Sequence, residues 1–336
     1  MSAFQLLIRT TNSGTSSSTQ FTLPGDSGET YDFVIDWGDG GADETINSGS
    51  SWTHTYSSGG DYTLSITESS TGGFPAIKFN NGGDKLKVLE LANWGTNKWI
   101  TFEDAFYGCS NSTITATDHA TAVTGFVTDF SFAWTNNALT SFPLIDTSSG
   151  TNFYYTWRDN SLTSFPLIDT SSGLNFSHAW RSNSLTSFPL LDTSSGTEFG
   201  IAWFGNSLTS FPLIDTSSGL NFANTWRNNS LTSFPLIDTS SGTNFTLAWS
   251  GNTINTGDYN ALLAGLSANS NNSVTWGGGG SKYHDTGQTQ RDILTAAPRN
   301  WTIADGGYDA TYSPPSSGAP AQNAQHNNLR NIRMAP

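Results

Sequence analysis

Residues 139–150 read LTSFPLIDTSSG, and the same string opens again at Leu162, Leu208 and Leu231, with one change, LTSFPLLDTSSG, at Leu185. The copies are 23 residues apart throughout. Tryptophan keeps this register at Trp134, Trp157, Trp180, Trp203, Trp226 and Trp249, and phenylalanine stands four residues before each, from Phe130 to Phe245. A unit this short cannot bury its own apolar face and must lean on its neighbours, so stability is shared along a stack of six turns.

Within a unit, LTSFP reads as a short strand. Leu139 and Phe142 anchor it inward, and Pro143 ends the ladder because it has no amide donor. Asp146, Thr147, Ser148 and Ser149 offer cap oxygens, and Phe153 with Trp157 at i and i+4 predict a helix of about two turns. Asn137, Asn160, Asn183, Asn206, Asn229 and Asn252 follow at a fixed place, suited to a left-handed helix cap or to a ladder that satisfies backbone groups inside the turn. A period between about 20 and 29 residues is that of leucine-rich repeats.

Ala133-Trp134-Thr135-Asn136-Asn137 with Leu139, and upstream Ala105-Phe106-Tyr107-Gly108-Cys109, resemble the signature of BspA-type leucine-rich repeats. The resemblance covers residues 85–255, with Trp in place of Phe and Asn in place of Cys in the regular units. The first unit is longer, since Phe106 to Trp134 is 28 residues.

Before the repeats, short alternating runs at Phe4–Thr10, Gln20–Leu23, Tyr31–Trp37, Trp52–Tyr56 and Asp61–Thr67 predict strands of a β-sandwich. Asp36-Trp37-Gly38-Asp39-Gly40, Thr53-His54-Thr55-Tyr56 and Gly60-Asp61-Tyr62-Thr63-Leu64 resemble the polycystic-kidney-disease (PKD) type of immunoglobulin-like domain. Beyond Trp249, Thr256–Leu266 and Gln288–Ala297 read as helices, and Val274–Trp276 and Trp301–Ile303 as strands.

The expected organisation is therefore multidomain. A PKD-like β-sandwich (1–72) leads into divergent first repeats (73–129). An α/β leucine-rich-repeat solenoid of 23-residue units (130–255), a small α/β cap (256–305) and an extended tail (306–336) follow. The tail lacks a core pattern, and Tyr312, Arg330 and Arg333 are its candidate assembly contacts.

With 13 basic and 27 acidic side chains the net charge is −14, and 12% charged residues is about half the usual share, so solubility rests on hydroxyls and amides. The balance repels phosphate backbones and excludes nucleic acid as a partner. Cys109 is the only thiol, so there is no intrachain disulfide and no thiolate zinc site. No run reaches the ~18 apolar residues of a membrane helix, and no membrane insertion is expected. The opening MSAFQLLIRTTNSG has no basic n-region or cleavage site, so no export signal is expected.

Asp146, Asp169, Asp192, Asp215 and Asp238 form a column of carboxylates at about the 4.8 Å inter-strand spacing, which invites comparison with paired glycosidase carboxylates. An acid and a nucleophile need different surroundings, whereas every one of these aspartates sits in the same context, so turn or cap duty is expected and no enzyme. No cofactor is expected, calcium along this column being the one option left. Asp36, Asp39, Asp43 and Glu44 lack the spacing of a calcium loop. The histidines at 54, 119, 178, 284 and 326 form no metal pair.

Variation inside the repeats marks the candidate binding surface. Equivalent positions stack, so Phe132, Tyr155, His178, Ile201, Asn224 and Leu247 fall in one column and Arg158, Arg181, Phe204 and Arg227 in another, with Tyr154 beside them. Aromatics and arginines on a neutral hydroxyl-rich surface suit stacking on sugar rings. Packing between turns is the alternative use of the first column. The two resemblances imply contact duty, as in phage tail-fibre or capsid-decoration proteins and bacterial surface proteins. The expectation is a non-enzymatic virion surface protein that adheres to a host glycan or protein. Its partners are other virion or fibre subunits in an oligomeric assembly. The alternatives are a cell-surface adhesin and a self-assembling extracellular fibre subunit.

Overall fold

The computed structural model describes residues 2–69, 74, 76–118, 126–268 and 273–314. At the N-terminal end the strands are β1 (Phe4–Arg9), β2 (Gln20–Pro24), β3 (Phe33–Asp36), β4 (Glu44–Ile46), β5 (Ser51–Thr55), β6 (Asp61–Glu68), β7 (Val88–Asn93) and β8 (Thr113–Ile114). Six of them form one sheet in the order β4-β3-β6-β1-β7-β8, and β2 pairs with β5. Alternation sets the faces: Phe4, Leu6 and Ile8 of β1 are fully buried. Trp52 of β5 meets Phe33 of β3 edge-on at 5.1 Å, which closes the two sheets over a shared core. β1, β2, β3, β5 and β6 fall where the alternation predicts strands. β7 and β8 come from the stretch read as divergent repeats, so the sheet runs past residue 72.

The repeats do not build the α/β leucine-rich-repeat solenoid expected of them. Residues 130–255 contain no α-helix, and their regular pairing is reduced to one parallel bridge per turn, through Asp129, Asn152, Asn175, Glu198, Asn221 and Asn244. The expected helix is instead a run of turns of alternating hand. Phe153, Tyr155, Trp157 and Asp159 donate their N–H groups to the carbonyls of Asn175, Ser177, Ala179 and Arg181 in the next turn, at 2.8–3.1 Å. Thr156 and Arg158 close local turns onto Phe153 and Tyr155. Tyr155 and Asp159 hold φ of 61° and 54°, which a right-handed helix forbids. A Phe and a Trp four residues apart both point inward in this arrangement, just as they would on a helix.

The LTSFP segment is not a strand because a side chain enters its ladder. The Leu162 amide donates to Asn183 Oδ1 at 3.1 Å, while Asn183 Nδ2 donates to the Trp157 and Trp180 carbonyls at 2.9 and 3.2 Å. Asn160, Asn206, Asn229 and Asn252 repeat this pattern, and the proline four residues after each leucine has no N–H to continue a ladder.

Three aromatic columns fill the interior. The rings of Phe130, Phe153, Phe176, Phe199, Phe222 and Phe245 stack at 5.3–5.5 Å. From Trp157 to Trp249 the indoles stack at 4.8–5.9 Å. Phe142, Phe165, Phe188, Phe211 and Phe234 stand edge-on to the indoles at 4.8–5.0 Å. Each such contact contributes about 0.5–1.5 kcal/mol beyond area burial. The glycine of each DTSSG is fixed by the phenylalanine column: a Cβ on Gly196 would lie 2.5 Å from the Phe199 ring.

The columns continue into both ends of the molecule. Trp99 stacks on Phe102 at 4.7 Å and meets Phe4 of β1 at 5.0 Å. At the other end Trp249 packs on Trp276 at 4.4 Å. There α1 (Thr256–Ala268), β9 (Thr275–Gly277), α2 (Asp285–Thr295) and β10 (Thr302–Ala304) follow in the order predicted, with β9 and β10 parallel. Residues 306–314, read as the start of a tail, pack on this unit: Gly306 and Asp309 donate to the Ser281 and Tyr283 carbonyls at 2.8 and 2.7 Å. The first leucine after the proline faces outward in the first three copies, Leu144, Leu167 and Leu190, with Leu167 65% exposed, and is half-buried at Leu213 and Leu236.

Asn183→Ala leaves the Leu162 amide without its acceptor and takes one of two amide donors from each of the Trp157 and Trp180 carbonyls, which keep Asn160 and Asn206, and is expected to cost about 1–3 kcal/mol in denaturant unfolding. Leu167→Ser, on the outside of a neighbouring turn, is expected to stay within about 0.5 kcal/mol of the parent.

Candidate binding ridge

The alternating-hand run that joins the turns also aims the variable side chains. Phe132, Tyr155, His178, Ile201, Asn224 and Leu247 all have φ between 55° and 63°. Four residues further on, the other left-handed position is held by Asn136, Asp159, Ser182, Gly205, Asn228 and Gly251, types that tolerate it. Bulky residues do not, and Ile201, β-branched, is strained at φ 63°.

These side chains form one half-buried ridge along the outside of the stack. Phe132 stacks on Tyr155 at 4.9 Å, and Tyr155 on His178 at 4.2 Å. Tyr154 stands edge-on to them, 5.4 Å from Phe132, 4.3 Å from Tyr155 and 6.0 Å from His178. The Arg158 guanidinium lies 4.7 Å over Tyr155, with its Nε 2.9 Å from Asp159 Oδ2. Arg181 and Arg227 approach the same Phe204 ring at 5.5 and 5.8 Å, and Arg227 also donates to Asn224 Oδ1 at 3.0 Å. Packing between turns and outward exposure therefore coexist in this column. Towards the C-terminal end it closes where β9 crosses Leu247: a Cβ on Gly277 would lie 2.9 Å from the Leu247 backbone.

Tyr107 extends the ridge by stacking on Phe132 at 5.8 Å, and was not read from the sequence. It stands five residues after Phe102, the arginine-column place, but the long first unit hides that register.

Burial, then the positive charges of Arg181 and Arg158, pushes His178 down from 6.5 to about 4. It is neutral at pH 7, and the charge of the ridge resides on its arginines.

The other candidates lie apart. In all five aspartates of the DTSSG column, Oδ1 is engaged by the serine two residues on, as at Asp169, where Ser171 N and Oγ lie 3.0 and 2.7 Å away. Among the described residues no group of three or more His, Cys, Asp or Glu could hold a metal ion. Cys109 is buried, and burial pushes its thiol pKa up, away from nucleophilic use. His54 pairs with Asp39 at 2.9 Å and stacks on Trp37. Tyr312 lines a cavity of about 460 Å³ between α1 and α2, with Asn260, His284 and Asp285. Arg330 and Arg333 lie outside the described residues, as do His119 and His326.

No protein-family model, no curated protein and no solved structure matches the chain.

A histidine with a depressed pKa contributes stability that is complete above its unfolded value near 6.5 and lost as pH falls towards about 4. Thermal melts at pH 7 and pH 4 are therefore expected to show a larger loss for the parent than for His178→Gln.

Proposed function

We propose that this chain is a non-enzymatic adhesion protein, displayed on a virion surface, that grips a host-surface glycan along the ridge from Tyr107 to Arg227. The observation that carries this is the chain of half-buried rings, Phe132, Tyr155 and His178, held in stacked register by a backbone conformation that disfavours bulky side chains. Packing alone would be served as well by the Asn or Gly found at the other left-handed position. Rings and guanidiniums fixed on a rigid stack lose little conformational freedom on binding, which is the main cost of weak, extended carbohydrate recognition.

The non-enzymatic part is supported by the uniformity of one column of carboxylates: four of the DTSSG aspartates make the same pair of contacts to a serine of their own turn, so that column holds no differentiated acid and base. Surface display is supported by the resemblance of the N-terminal motif to domains of phage structural proteins and bacterial surface proteins, and of the two the virion is the reading proposed.

Tyr155→Ala is expected to weaken retention on host cells or a host glycan about tenfold, with the melting temperature shifted by only a few degrees. Unchanged retention would remove the ridge from the adhesion surface. Immunogold labelling with antibody to the repeats is expected to mark particles; label confined to cell surfaces would make the chain a cellular adhesin.

A further inference from the structure

Between residues 130 and 255 there are three basic side chains, Arg158, Arg181 and Arg227, against seven acidic ones. All three arginines lie on the ridge. Only Arg158 is paired; among the described residues neither Arg181 nor Arg227 has a carboxylate within 4.0 Å. The Nε atoms of all three arginines are buried without a hydrogen bond, so an outside anion can meet Arg181 and Arg227 only at their Nη groups, where Arg227 already gives one N–H to Asn224 Oδ1.

A guanidinium donor buried without an acceptor is destabilising, the more so because the group is charged. Stacking over a shared Phe204 ring offsets part of this but satisfies no N–H. In an acidic chain with carboxylates to spare, two such arginines flanking one ring describe a place kept for an external anion. They are two turns apart, about 10 Å along the stack at the ~4.8 Å spacing of adjoining strands. A guanidinium fork fits a carboxylate with two parallel hydrogen bonds, and the Phe204 face between the forks fits a sugar ring.

We infer that the ridge takes an acidic polysaccharide, laid along the stack with its carboxylates on Arg181 and Arg227 and a sugar ring on Phe204. This rests on the adhesion reading and names its ligand class. Single-stranded nucleic acid offers the same combination of anion and ring. A net charge of −14 and a hydroxyl-rich surface favour the glycan.

The test uses the full chain and three immobilised probes: polygalacturonate, its fully methyl-esterified form, and oligothymidylate. Retention is expected on polygalacturonate alone, weakened by salt, and cut about tenfold by Arg181→Gln or Arg227→Gln. Neither change should lower the melting temperature by more than about 5 °C, since the contacts with Phe204 and the Arg227–Asn224 hydrogen bond are lost but no ion pair is. Equal retention on the methyl ester, with both variants binding like the parent, would overturn the acidic ligand and leave adhesion standing. Preferential retention on oligothymidylate would make the ridge a nucleic-acid surface. A drop of more than about 5 °C in both variants would make the arginines structural. Retention on none of the probes, with host-cell binding intact, would also overturn the inference; loss of host-cell binding as well would sink both readings.

Discussion

One buried asparagine amide per turn carries the organisation of the stack. Its oxygen takes the leucine amide of the turn before and its nitrogen reaches two tryptophan carbonyls, so a single side chain replaces the backbone ladder that a strand would have supplied. With that position fixed, the indole beside it can stack only on its counterparts above and below. The phenylalanine columns then follow from the space left over, and the glycine of DTSSG from the ring that crosses it. Asn137, in the first regular turn, is buried with neither amide atom bonded among the described residues, which shows what the ladder lacks where it begins.

Much of this was legible in the letters. The 23-residue period, the inward Phe and Trp, the structural asparagines and five N-terminal strands all follow from spacing and alternation. The helix did not survive because Phe153 and Trp157 at i and i+4 face the core equally well when Tyr155 and Asp159 are left-handed. A signal for that geometry was present: Asn136, Asp159, Ser182, Gly205, Asn228 and Gly251 form a column of the residue types that tolerate positive φ. The bulky residues four places earlier obscured it. β7 was missed because it lies in a stretch without repeats, and its pairing with β1 is decided by contacts some eighty residues apart in sequence.

The ridge was half legible. Spacing alone placed its two columns, since residues 23 apart must stack. The letters set Arg158 apart, since Asp159 follows it where Ser182 and Asn228 follow the other two, but that Arg181 and Arg227 converge on Phe204 is a property of the folded surface.

The near identity of the units has a genetic consequence. Recombination between two copies of LTSFPLIDTSSG would remove or add 23 residues while every junction between turns stayed of the same kind, so the rod could change length by one rung without a new interface being invented. The face that varies from rung to rung would not be neutral to such an event: losing the rung that bears Phe204 would bring Arg181 and Arg227 into adjacent turns, and the molecule would keep its scaffold while changing the spacing of its charges.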